Sequence, residues 1–130
     1  MTTLAERHSS IAAVLEQAAK SMFPKTARTS IDVRTRSATG DTALHMAALR
    51  GDATAVRKIL TAGAFVDARG AGGRTALYYA ALKGHLESAR CLVAAGANPD
   101  LVMDLGMSPR TVAAQLRDRP LTELFARLGS

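Results

Sequence analysis

Apolar residues recur along the middle of the chain at helical intervals. Leu44, Ala47 and Ala48 are followed, beyond Gly51, by Val56, Ile59 and Leu60. The same order returns at Leu77, Ala80 and Ala81, and then, beyond Gly84, at Ala89, Leu92 and Val93. Spacings of three and four predict short amphipathic helices, two to a unit. Thr42 and Thr75 stand where a helix begins and can accept a backbone N–H bond there. Ser108 followed by Pro109 opens a third unit in the same way, with proline at the first helical position. Gly51 and Gly84 fit the end of a first helix, where a positive φ is needed. The "AGA" stretches at Gly63 and Gly96 end the second helix, and the chain runs extended from there into the next unit.

The repetition has a fixed step. Gly40 and Gly73 lie 33 residues apart, and the register holds from Thr42/Thr75 through Arg57/Arg90 to Asp67/Asp100. A further step reaches Gly106, with Ala113 and Ala114 where the alanine pair belongs. Going backwards only weak echoes survive, Val33 for Val66 and Arg36 for Arg69, and before Ile31 the pattern is lost. One such unit cannot bury its apolar face alone, so the copies must stack. Leu4, Ile11, Val14, Leu15, Ala18 and Met22 form one more stripe at helical spacing, which Pro24 terminates. It is expected to shield the first full unit. An amphipathic helix with its own partner is the alternative.

"GDTALHMAALRGDATAVRKILTAGAFVDAR" and "GRTALYYAALKGHLESARCLVAAGANPD" resemble ankyrin repeats, sharing the opening G-x-T…L-H-x-A-A pattern, the mid-repeat glycine and the closing G-A-x-V-[ND]. The resemblance covers roughly residues 31 to 130. It implies an all-α fold, an ankyrin-repeat solenoid of stacked helix pairs with hairpin-like loops. The division that follows is one domain over 1–130, with an N-terminal helical cap at 1–30, a first full repeat at 37–69, a second at 70–102 and a C-terminal cap at 103–130. There are departures. Ala43 and Ala76 replace the helix-opening proline, and Tyr78 replaces the histidine, which puts that residue's hydrogen bonds in doubt. Arg110 takes the place of the leucine, as expected of a cap turned towards water.

Composition agrees with closely packed helices. Of the 130 residues 48% are hydrophobic, yet only 4% are aromatic and none is Trp, whereas sheets favour aromatic and β-branched residues. Net charge is +6, which favours an acidic protein, a nucleic acid or an anionic membrane without choosing among them. A single cysteine, Cys91, excludes an internal disulfide and reads as half-buried packing in the outer helix. "MTTLAERHSS" has no apolar core, and no run approaches the roughly 18 residues that cross a bilayer. The expected setting is cytoplasmic, with no membrane contact.

Chemistry is sparse. His8, His45 and His85 have no metal-ligand spacing. His45 falls on the family's structural histidine. No nucleophile–base order, carboxylate pair or phosphate loop stands out, and Gly70, Gly72 and Gly73 lie at a repeat junction, not between a strand and a helix. No enzyme, metal or cofactor is expected.

The resemblance implies binding through hairpin tips and the concave face of the inner helices. Carried over by position, that selects Arg36, Thr39, Asp41, Leu49 and Arg50 in the first full repeat, and Arg69, Arg74, Leu82 and Lys83 in the second. Arg36 with Arg69, and Arg50 with Lys83, make rows of like charge one repeat apart; ordinary solvated charge is the competing reading. In "LVMDLGMSP" a polar hairpin is replaced by Val102, Met103, Leu105 and Met107. These form an exposed apolar anchor or fold back against the neighbouring finger. The expected function is non-catalytic binding of an acidic protein by a chain that is monomeric when unbound. One alternative is a small inhibitor or immunity-type protein occluding an enzyme or toxin. Nucleic-acid binding is a third, disfavoured by the lack of an aromatic stacking platform.

Overall fold

The computed structural model describes residues 11–19 and 32–128. Helix α1 covers 11–19, and α2 (Ala43–Arg50) with α3 (Ala53–Thr61) forms the first complete pair. The pairs α4 (Ala76–Lys83) with α5 (Leu86–Ala94), and α6 (Pro109–Gln115) with α7 (Arg119–Ala126), follow. No strand occurs among the described residues. Leu4, His8, Met22, Pro24 and the loop after it lie outside them.

The pairs stack in two rows. Helices α2, α4 and α6 pack side by side as an inner row, and α3, α5 and α7 as an outer row. The alanine pairs explain the close approach. Ala47, Ala48, Ala80, Ala81 and Ala113 are fully buried at helix–helix contacts where a longer side chain would hold the backbones apart. Between the rows lie Leu44, Val56, Ile59, Leu77, Leu92, Val112, Leu121 and Phe125, all buried. Each of the larger of these contributes about 1.5–3 kcal/mol by leaving water. Ile11, Val14 and Leu15 of α1 pack partly buried against the same core, and Ala18 is buried in it.

Local signals set the helix ends. The side chains of Thr75, Ser108 and Asp118 accept from the backbone N–H groups of Tyr78, Thr111 and Leu121, and Asp52 accepts from Ala55. Gly51 and Gly84 close α2 and α4 with φ of 73° and 72°, the left-handed region that glycine adopts without strain.

Arg110 does not face water as the sequence implied. It is half-buried because its guanidinium bridges the loop after α5 and the end of α7, donating to both Asp100 oxygens at 2.7 and 3.3 Å and to the Phe125 carbonyl at 2.8 Å. The fork geometry of guanidinium suits this clamp. Its charge and hydrogen bonds hold the Asp100 carboxyl below the usual carboxylate range. The final unit therefore carries both helices of a pair, closed by Leu121 and Phe125.

No helix among the described residues is long and apolar enough to cross a membrane.

Candidate functional site

Three hairpin-like fingers each precede a helix pair, and each is closed by the same bond. Ser37, Gly70 and Met103 donate their N–H to the carbonyls of Asp41, Arg74 and Met107 at 2.8, 2.7 and 2.8 Å. Within each, the glycine at 40, 73 or 106 returns a bond to the first residue. Neighbouring fingers are joined by Asp104 N–H to Gly72 O, 2.9 Å, and by Ala71 N–H to Asp41 Oδ1, 2.9 Å.

Arg36 and Arg69 belong to this framework. Arg36 Nη1 donates to Gly40 O at 2.7 Å and to Arg69 O at 2.6 Å, and Arg69 Nη1 donates to Val102 O at 2.6 Å. Both remain exposed, so each guanidinium is held by the neighbouring repeat while its surface meets solvent.

Asp41 is not the surface residue that its place in the hairpin implied. It is only 6% exposed, because its carboxylate turns inward to accept from Ala71 N–H and from the Tyr79 hydroxyl at 3.2 and 3.3 Å. Gly70 makes room for this arrangement, since a Cβ there would collide with Asp41 Oδ1. Burial and the Asp41 charge raise the Tyr79 pKa, keeping the phenol a donor.

His45 lies fully buried beside this pair. Its Nδ1 accepts from Thr42 N–H at 3.0 Å, which puts the ring proton on Nε2. Nε2 then donates to Ala68 O at 2.9 Å and Arg74 O at 3.0 Å, tying one repeat to the next. Burial lowers its pKa, with the Asp41 charge opposing. The equivalent Tyr78 contributes no such ring bonds; instead the Arg74 guanidinium lies 5.9 Å from its ring centroid. Half-buried Arg74 therefore lies against Tyr78 instead of standing clear in solvent.

The other expected contact residues divide by position. Arg50 and Lys83 are exposed at the ends of α2 and α4; Leu49 is half-buried and Leu82 exposed beside them. Thr39 is exposed on the first finger, its hydroxyl 3.0 Å from that of Ser37.

The apolar third finger splits in two. Met103 is 4% exposed, because it turns into the core and its sulfur accepts from Leu105 N–H at 3.1 Å, so it is no surface anchor. Met107 is half-buried against the same core. Val102 is exposed, and Leu105 at the tip is 82% exposed.

Phe65, Leu116 and Leu128 are exposed apolar residues that the sequence pattern did not single out. Leu116 occupies the position of Arg50 and Lys83 one repeat on and ends that basic row in an aliphatic side chain. Phe65 is 74% exposed in the loop after α3, where the next repeat has Asn98. An aromatic replacing an amide at equivalent positions is the signal that marks it. Cys91 is half-buried in α5, with Arg57 Nη1 3.4 Å from its sulfur. Among the described residues no three His, Cys, Asp or Glu side chains gather for a metal.

Comparison with known families matches residues 10–103 to a model of ankyrin repeats (3 copies). Comparison with curated protein sequences gives no match.

Proposed function

The chain belongs to the ankyrin-repeat family, whose repeats generally mediate protein–protein interaction, and on that premise we propose that it is a non-catalytic module for an acidic protein partner. The partner lies across the fingers and the inner-helix ends. The observation that carries this reading is the exposure of Leu105 at the tip of a finger in which Met103 is buried and Met107 half-buried. A leucine at a turn costs solubility unless something covers it, and a rigid finger presents it with little loss of freedom on binding. Exposed Arg50 and Lys83 flank the groove, where they steer an acidic surface into register. Arg36 and Arg69 add positive charge, each held in place through Nη1 by a backbone carbonyl of the next repeat.

The test is affinity capture from native lysate with wild type and a Lys83→Glu, Leu105→Ser variant, read by mass spectrometry. Both substitutions are at exposed positions, so the fold is retained, whereas changing Arg36 or Arg69 would also break their bonds to the next repeat. One acidic protein held by wild type and lost from the variant supports the reading. Equal retention by both sinks the groove assignment. Nuclease-sensitive material alone moves the function to nucleic acid.

A further inference from the structure

A cleft of about 690 Å³ opens beside the first full repeat. It is lined by residues from two chain segments, 33–36 and 63–69, and by Thr42. Three arginines line it, Arg34, Arg36 and Arg69, together with half-buried Asp67 and exposed Phe65. Its charge balance is positive even with Asp32 next to it, and the Asp67 carboxylate is already engaged by Asn98 N–H at 3.0 Å. Arg36 and Arg69 are each fixed through Nη1, leaving further guanidinium donors in a framework that costs little entropy to use.

The nature of the walls selects the occupant. Phe65, Gly63 and all three arginines are exposed, so a small molecule would remain wet on most of its surface, unlike the usual buried ligand. A nucleic-acid strand would find Phe65 as the one exposed aromatic ring among the described residues, too little for successive bases to stack on, because Tyr78 and Tyr79 are buried. An extended peptide, with carboxylates spaced between apolar side chains, meets both features at once. We infer that this cleft takes an extended acidic segment of a protein partner, its carboxylates on Arg34, Arg36 and Arg69 and an apolar side chain against Phe65. The inference rests on reading the chain as a protein-binding module, and it adds a second contact apart from the groove.

The test uses the full chain and a short labelled peptide alternating Glu and Leu, followed by fluorescence anisotropy. A Gln–Leu peptide, an oligo-uridine and three variants serve as comparisons. Phe65→Asn installs the residue that the next repeat carries at Asn98, Arg34→Glu reverses an exposed charge, and Lys83→Glu alters only the groove. Glu–Leu binding that weakens at least about tenfold in Phe65→Asn and in Arg34→Glu, and persists in Lys83→Glu, is the expected result. The Gln–Leu peptide should also bind at least about tenfold more weakly than Glu–Leu. Absent binding, equal binding of the two peptides, or indifference to both cleft variants overturns the inference. So does oligo-uridine binding lost in Phe65→Asn without peptide binding. Loss confined to Lys83→Glu overturns the cleft and leaves the groove reading standing. Peptide binding in the cleft alongside a failed groove test does the reverse.

Discussion

Arg36 donates to the backbone carbonyl of Arg69, and Arg69 does the same to Val102, each bond spanning 33 residues. One side chain in each repeat thus fastens to the next, as the hydrogen bonds of a helix fasten successive turns. Arg36 also holds Gly40 O within its own finger. Replacing Arg36 by alanine should lower unfolding free energy by about 1–2 kcal/mol, and replacing Arg69 by about 1 kcal/mol, since both bonds are partly shared with water. Urea denaturation of the two variants checks the order; a larger loss at Arg69 would contradict it.

The ladder also explains which parts of the surface were legible in the sequence. Equal spacing revealed the helix pairs, because buried positions must recur wherever identical units stack. The same spacing was ambiguous for Arg36 and Arg69. A charge repeated at the period of the fold can face solvent in a row or reach the next copy, and periodicity is the same in both cases. Asp41 was illegible for a related reason: its partner, Tyr79, lies 38 residues away in the next repeat. Differences between copies were the better guide to exposure. Phe65 against Asn98, and Leu116 against Lys83, mark surface residues that the shared pattern does not require.

His45 should make stability depend on pH. In the folded chain its unprotonated Nδ1 accepts from Thr42 N–H, and burial lowers its pKa below the ordinary 6.5. The unfolded chain therefore binds the proton more strongly. Stability should be complete above about pH 6.5 and fall as pH drops from there towards the folded pKa. Asp32 and Asp100, whose carboxyls are held below the usual 3.8, lose their contributions only in a separate, more acidic window. Urea midpoints measured from about pH 8 to about pH 5 should decline in wild type. The decline should flatten in His45→Asn, whose amide oxygen can accept the same bond without titrating. An equal slope in both proteins would assign the pH dependence elsewhere.

The third finger offers a contrast within three residues. Met103→Ala removes a buried side chain and should cost about 2–4 kcal/mol, whereas Leu105→Ser at the exposed tip should change stability by no more than about 0.5 kcal/mol. Thermal and urea denaturation of the pair test this directly. A large loss at Leu105 would mean that the tip packs against the protein itself, and the docking role would lose its support.

Gly51 and Gly84 share a position and a backbone conformation, with φ of 73° and 72°, yet they should not tolerate alanine equally. Any L-residue in the left-handed region carries about 1–2 kcal/mol of strain, and that component is common to both sites. The neighbours differ. A Cβ on Gly84 would come 3.3 Å from Asp118 Oδ2, a contact that a shift of a few tenths of an ångström relieves while the Oδ1 cap on Leu121 N–H is kept. A Cβ on Gly51 would come 2.5 Å from His85 Nδ1, and that ring is held by a 3.2 Å bond between Nε2 and Leu49 O. Alanine at Gly51 must therefore push the imidazole off the preceding helix or shift the backbone, adding the lost hydrogen bond to the strain. Gly51→Ala should be the more destabilising by about 1 kcal/mol. A His85→Ala background, which removes the obstructing ring, should erase that difference and leave the two glycine substitutions with similar costs in urea denaturation. Persistence of the gap there would place its origin in the backbone and not in the imidazole.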